Sequence, residues 1–428
     1  MRTAVAGSIE DPMASTTRGV ALNSTLIVAA QSTQAIAVGA IALFLPLIRT
    51  DLGLNFSQAG LLAAVATLSY ALMQVPSGIL ADRVSPKLLF GIGILGANVL
   101  AILFALSDSF AIMLATQAIA GIFRAFMFIP GMILITRHFS EAKRATALGL
   151  FVAGGFSSNI LISLVGPLIV GPLGWQGVIV LSSAIGIAVL IAFWFIGDDG
   201  PAREHEPVAP SRWVWRTRAW WLLGVIQFAR LAIVMGFTFW LPAFLIEERG
   251  LSIAAAGLVG ALSAAVTAPS NIGGGMLSDR LGRPLLVIAV SLGAMSVLFA
   301  VVGEIAEISW LIAVIVAISV VIQLYFGPLF AVPRRLFGPG IAGLSSGFGN
   351  LCANLGGFAS GLLLGVLRDA TGSFTLGFYC LAGIAFIGFA AVMWLWRTAP
   401  VRLGGGPGAE SSASRILSAE QASPNPSS

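Results

Sequence analysis

Residues 78–87 read GILADRVSPK and residues 275–284 read GMLSDRLGRP. Each is a short charged turn between two long apolar runs, and the copies stand 197 residues apart. A hydrocarbon core of about 30 Å needs about 20 apolar residues per helix. Twelve such runs lie along the chain: Val20–Ile48, Ser57–Leu80, Leu88–Leu106, Phe110–Thr136, Ala145–Val170, Gly177–Ile196, Ala219–Ile246, Ile253–Leu277, Leu285–Val302, Trp310–Phe330, Gly343–Val366 and Thr375–Trp396. The breaks between them carry the charges and the Pro, Gly and Asp turn chemistry. An all-α membrane protein of twelve transmembrane helices is expected.

Composition points the same way. Of 428 residues, 57% are hydrophobic and 10% charged, with mean hydropathy +0.97, whereas a soluble domain carries about 25% charged residues. Lipid is the solvent this chain is built for. The net charge of +5 is spread over short loops, which fits membrane topology and not a nucleic-acid partner. Cys352 and Cys380 sit in apolar runs without metal-ligand spacing, so neither a disulfide framework nor a zinc site is expected. The first apolar run is too long for a signal-peptide core, and no cleaved leader is expected.

Residues 197–218, rich in Pro and charge, read as a linker between two six-helix halves, 20–196 and 219–396. Residues 1–19 form a polar N-terminal segment, and 397–428 have the composition of a disordered tail. With an even number of spans, both termini share one side. Arg83, Lys87, Arg137, Lys143, Arg144, Arg280, Arg283, Arg334, Arg335 and the linker arginines fall in the even-numbered loops, while the odd-numbered loops hold Arg49, Arg249 and Arg368. Positive charge stays inside, which predicts cytoplasmic termini in the cytoplasmic (inner) membrane.

The halves repeat. At offsets of 196 to 198 residues, Leu45-Pro46 falls on Leu241-Pro242, Ala59-Gly60 on Ala256-Gly257, Asp82-Arg83 on Asp279-Arg280, and Pro130 on Pro328. Two similarly oriented halves are the parallel repeat of a secondary transporter with its site at the interface between them.

The two quoted loops resemble the G-x-L-x-D-R-x-G-R signature of the major facilitator superfamily. The second copy is complete, whereas the first carries Ser85-Pro86 in place of Gly-Arg. The resemblance implies a cytoplasmic gate built on Gly78, Asp82, Arg83, Gly275, Asp279, Arg280 and Arg283. The glycines would allow close helix approach, and the aspartates would sit at a neighbouring helix N-terminus.

Two cations fall inside spans: Arg124 in the fourth and Arg230 in the seventh. Each costs about 2.5–3.5 kcal/mol at the bilayer centre on insertion scales and should face the bundle interior. All 18 acidic residues lie in loops, tails or at span ends. A guanidinium suits a carboxylate or other oxyanion bidentately, so the expected substrate is a small anion. The resemblance implies that the first, fourth, seventh and tenth helices line a central cavity. Gln31 and Gln34 share their spacing with Gln227 and Arg230, and Gln323 and Tyr325 add neutral donors. Phe128, Phe237 and Trp240 are expected to narrow the pocket, with Tyr70, Gln74, Asn98 and Gln117 as further polar candidates. Asn159, Asn271, Asn350 and Asn354 read as helix glue. The run SSGFGNLCANLGGFASG (345–361) resembles nitrate/nitrite and organic-anion branches, with close helix packing as the competing reading.

Alternating access by rocking of the halves follows from the repeat. Lacking an embedded carboxylate or histidine relay, the chain is expected to exchange one anion for another, with proton symport as the alternative. A drug exporter is disfavoured because Gly166-Pro167 is followed by LIVGPLG, and a sugar carrier leaves the arginines unexplained. A transporter-like receptor remains a further alternative. No constellation supports an enzyme, no cofactor is implied, and a monomer is expected.

Overall fold

The computed structural model describes residues 17–139, 144–199, 215–337 and 342–398. Most of the polar N-terminal segment, the linker and the tail expected from sequence lie outside them. The described residues form helices and connecting turns, with no strand among them.

The first crossing is α1 (Thr17–Leu43) with α2 (Leu45–Leu52), and the second to fourth are α3 (Phe56–Arg83), α4 (Pro86–Ala105) and α5 (Phe110–Arg137). The continuous helix α6 (Arg144–Ile196) holds two crossings, because Gly174 turns the chain at φ 67° between them, a conformation suited to glycine. The seventh is α7 (Arg218–Ala243), ending in a π-turn at Phe244–Glu248. The eighth is α8 (Ile253–Ala265) with α9 (Thr267–Leu281), and the ninth is α10 (Pro284–Val302). The tenth is α11 (Ile308–Leu324) with α12 (Phe326–Phe337), and α13 (Ala342–Thr371) and α14 (Thr375–Thr398) complete twelve.

The interruptions follow from proline, which removes a backbone donor and crowds the preceding turn. Phe44 precedes Pro46, Val266 precedes Pro269, Tyr325 precedes Pro328, and the π-turn follows Pro242. By contrast α4, α10 and α14 run without interior proline.

Each half packs its own core. Phe44, Phe104 and Trp175, then Phe90, Met127 and Phe193, anchor two clusters in the first half. A larger cluster around Phe237, Phe299, Phe378 and Leu395 fills the second. Leu45, Phe56 and Ala59 of the first half join that second cluster. All three lie toward the end of the bundle away from the termini.

Named contacts between the halves concentrate at this far end. A Cβ on Gly60 would stand 2.6 Å from the Gly361 carbonyl oxygen, one on Gly365 2.4 Å from that of Phe56, and one on Gly257 2.3 Å from that of Ser163. Only glycine permits such backbone approach. Polar contacts reinforce them. Arg49 pairs with Glu247 across the halves. The Asp369 carboxylate, from the end of α13, accepts the backbone N–H groups of Phe56 at 2.9 Å and Ser57 at 2.6 Å. Asn55 accepts the next donor, from Gln58, at 2.7 Å. Three of the four orphan donors at the start of α3 are thereby satisfied, two of them by the other half, with the carboxylate at the positive end of the helix dipole.

Candidate functional site

The two embedded arginines are equally buried, each 8% exposed, but differently held. Arg124 lines a cavity of about 70 Å³ between the halves. Its sole polar partner among the described residues is Gln117, which accepts a long hydrogen bond of 3.5 Å from Nη2. Gln117 lies seven residues earlier, two turns along the same helix face, and it too lines the cavity. Thr67 of the second span and Gly357 and Gly361 of the eleventh complete the small or polar walls, and Val38, Ile41, Leu62, Met235 and Phe239 supply apolar ones. Among the described residues no acidic side chain reaches Arg124.

Arg230 is not among the cavity's lining residues. Its Nε donates to Gln227 at 2.8 Å, and its guanidinium stands 5.4 Å from the centre of the Phe326 ring. The equivalent pair in the first half is also closed: Gln31 donates to Gln34 at 3.4 Å. The repeated i, i+3 spacing read from the sequence is a repeated side-chain hydrogen bond. Gln323 and Tyr325 are buried at the break in the tenth span, and Gln323 Oε1 and the Tyr325 hydroxyl have no hydrogen-bond partner among the described residues. Gln31 Oε1 is likewise buried without one.

Several aromatic assignments need correction. Phe237 and Trp240 do not narrow the cavity: they are 1% and 0% exposed inside the second half's core. Phe237 packs on Phe299 at 5.4 Å, and the Trp240 indole N–H donates to the Gly361 carbonyl at 3.0 Å. Met235 and Phe239, four residues apart on one helix face, hold the places expected of them. Phe128 packs against Phe151 within the first half.

The loop motif behaves unlike its expected close-packed form. Among the described residues a Cβ on Gly78 or Gly275 would meet nothing within 4 Å, while the Gly275 backbone lies against Gly327, whose own Cβ would stand 3.7 Å from the Gly275 Cα. The close approach belongs to Gly274, whose Cβ would stand 1.8 Å from the Leu324 carbonyl oxygen. Pro328 has no N–H to offer that carbonyl, and glycine gives it room. At the matching place in the first half, Ser77 donates to the Ala125 carbonyl at 2.9 Å. Arg83, Asp279, Arg280 and Arg283 are exposed, and the Asp82 side chain lies outside the described residues. At that same end, the Asp199 carboxylate accepts from Ser85 and from the Lys87 backbone N–H at the start of α4.

Sequence reasoning missed Thr67, Met235 and Gly357. Gly357 lay within a run already singled out, but Thr67 carried no signal beyond one hydroxyl in an apolar helix. Gly349 and Gly356 of the same run serve packing, a Cβ on Gly356 falling 2.1 Å from the Phe228 carbonyl oxygen.

The family model described as Major Facilitator Superfamily matches residues 27–361. Among characterised proteins, the nitrite extrusion protein of Bacillus subtilis (strain 168) is 24% identical over 363 residues, covering 82% of this chain and 88% of its own. A probable sulfoacetate transporter, SauU, of Cupriavidus necator is 25% identical, covering 82% of this chain and 87% of its own. A bacterial homolog to the human lysosomal transporter Spinster, solved inward-facing and unoccupied, superposes with TM-score 0.82 at 17% identity, over 91% of this chain and 99% of that one.

Proposed function

The chain belongs to the Major Facilitator Superfamily, and on that premise we propose that it carries a small anion, an organic carboxylate or inorganic oxyanion, through the cytoplasmic membrane by alternating access. The observation that carries this reading is Arg124. It is a buried guanidinium in a cavity between the halves, with one long hydrogen bond to a neutral amide and, among the described residues, no carboxylate in reach. An ionisable group so placed marks a substrate pathway, and the anion is the partner it lacks. Relatives named for nitrite and sulfoacetate support the substrate charge.

The positive-inside distribution of basic loops supports cytoplasmic termini. On that orientation the far end, tied by Arg49–Glu247 and Asp369, is the outer gate in its closed form, and Gly78 and Gly275, which have open space at their Cβ positions among the described residues, belong to an open inner one. The protein then rests facing inward. Rocking of the halves would release Asp369 from α3 while the inner motifs come together. Exchange of anions is favoured over proton symport, because an empty Arg124 is poorly compensated during the crossing.

Thermal unfolding of the purified protein against inorganic oxyanions, carboxylates, sugars and cationic drugs tests the reading, since a ligand of the native state raises the midpoint. Stabilisation by an anion class in wild type, lost in Arg124→Gln, is the expected result. Stabilisation by sugars or cations alone, equal in both proteins, overturns it. Counterflow in liposomes then separates a carrier from a receptor that binds without carrying, and the response of net uptake to an imposed pH gradient separates proton symport from exchange.

A further inference from the structure

We propose that His138 is a pH-sensitive tie: its neutral imidazole holds the end of α5 to Asn23 of α1, and protonation of the ring breaks that hold. The inference goes beyond the substrate reading. It rests on the proposed orientation only in naming the cytoplasm as the source of the proton.

The polarity of each partner is fixed. Asn23 is buried, and its side-chain amide pairs with the backbone of Asp198, just after α6. Nδ2 donates to the Asp198 carbonyl at 3.2 Å, and Oδ1 accepts the Asp198 N–H at 3.2 Å. A carbonyl only accepts and a backbone N–H only donates, so turning the amide over would set like against like at both contacts. The second hydrogen on Nδ2 is left for His138 Nε2, with which Nδ2 is in hydrogen-bonding contact.

His138 caps the end of α5 and sets its Nδ1 2.7 Å from the Leu134 carbonyl oxygen. That oxygen requires a donor, so Nδ1 carries the proton and Nε2 accepts from Asn23. The arrangement admits the neutral ring alone. A second proton, on Nε2, would face the Asn23 N–H, and Asn23 cannot turn over to receive it without losing both Asp198 bonds.

The charged side chains that meet the same stretch are Arg137, Lys87, Asp198 and Asp199. Arg137 donates to the Asp199 carbonyl at 3.3 Å and Lys87 Nζ to that of Gly197 at 2.7 Å, while the Asp199 carboxylate accepts from Ser85 and the Lys87 N–H. Of these side-chain types and imidazole, only imidazole ordinarily changes charge between pH 5 and 8. The tie is therefore present at the alkaline end of that range and lost toward the acid end. Both helices it joins are walls of the cavity, α1 through Val38 and Ile41 and α5 through Gln117 and Arg124.

The test measures distances between spin labels at the inner ends of the first and fourth spans, on the full-length protein in lipid nanodiscs, at pH 8 and pH 5.5. It compares wild type, His138→Gln and His138→Arg. A glutamine accepts from Asn23 and does not titrate, whereas an arginine has no acceptor to offer. In wild type the separated population is expected to grow at least fivefold on acidification. His138→Gln should keep the short distance at both pH values, and His138→Arg the longer one at both. Should His138→Arg not fold, Asn23→Ala removes the donor and should already be separated at pH 8. An unresponsive wild type, or a response unchanged in His138→Gln, would overturn the tie. Nanodiscs expose both faces of the protein, so this outcome does not depend on orientation. In inside-out membrane vesicles buffered within at pH 8, acidifying the bath should give the same change. Its absence there, with the nanodisc response intact, would overturn the cytoplasmic source of the proton and leave the tie standing.

Discussion

Among the described residues each half of the molecule buries one arginine, to the same extent, and the two are wired differently. Arg124 faces the space between the halves with a single long hydrogen bond to Gln117. Arg230 is drawn back by a 2.8 Å bond to Gln227 and lies beside the Phe326 ring, away from that space. Burial alone thus does not separate a ligand contact from a brace. What separates them is whether local groups already answer the guanidinium, as Gln227 does through Nε, or leave it turned toward a cavity.

The comparison breaks most visibly at Arg124. Arg124→Gln is expected to reduce anion uptake into liposomes roughly hundredfold, the scale of a lost charge-assisted hydrogen-bond pair, with the melting temperature preserved. Next in size is a contrast of neighbouring glycines. Gly274→Ala drives a methyl into the Leu324 carbonyl and should cost about 1–3 kcal/mol as overpacking, visible as a lowered melting temperature. Gly275→Ala, in open space, should be neutral or slightly stabilising by helix propensity. At Arg230, exchange for Gln is expected to change anion affinity by less than about tenfold while lowering thermal stability through the lost Gln227 and Phe326 contacts. An affinity loss equal to that of Arg124→Gln would erase the distinction between the two arginines. The smallest effect belongs to Asp369→Asn, which weakens a charge at a helix N-terminus worth about 0.3–1 kcal/mol. Distances between spin labels on the far ends of the second and eleventh spans should then show a two- to fivefold larger population of the separated state.

The spans and the repeat were legible because length, hydropathy and offset are one-dimensional properties. The pairs Pro46/Pro242 and Pro130/Pro328 even marked where breaks recur, although Pro130 leaves α5 continuous and Pro328 coincides with a break at Tyr325. Azimuth was not legible. Trp240 lies next to Phe239 in sequence, yet 100° of helical turn carries the indole into the core while Phe239 meets the cavity. Likewise the signature glycine Gly275 is conspicuous in sequence, but Gly274 carries the contact, because the free carbonyl it must avoid comes from a proline 54 residues later. The role of Asp369 was also hidden, since its partners, Phe56 and Ser57, lie more than 300 residues earlier.

The proline breaks give the bundle an uneven mechanical compliance. Crossings one, seven, eight and ten are interrupted, whereas three, nine and twelve are uninterrupted rods. A helix flexed at a site where proline has already removed a ladder bond has less to break than an intact one. Bending should therefore collect at Phe44, Val266 and Tyr325, while the intact rods keep their shape as each half moves. Amide exchange faster at these three positions than at mid-helix sites of α4, α10 and α14 would register the difference, and uniform protection along all of them would deny it. The chain has placed its joints in advance, so that flexure collects at the breaks and the intact rods move as units between them.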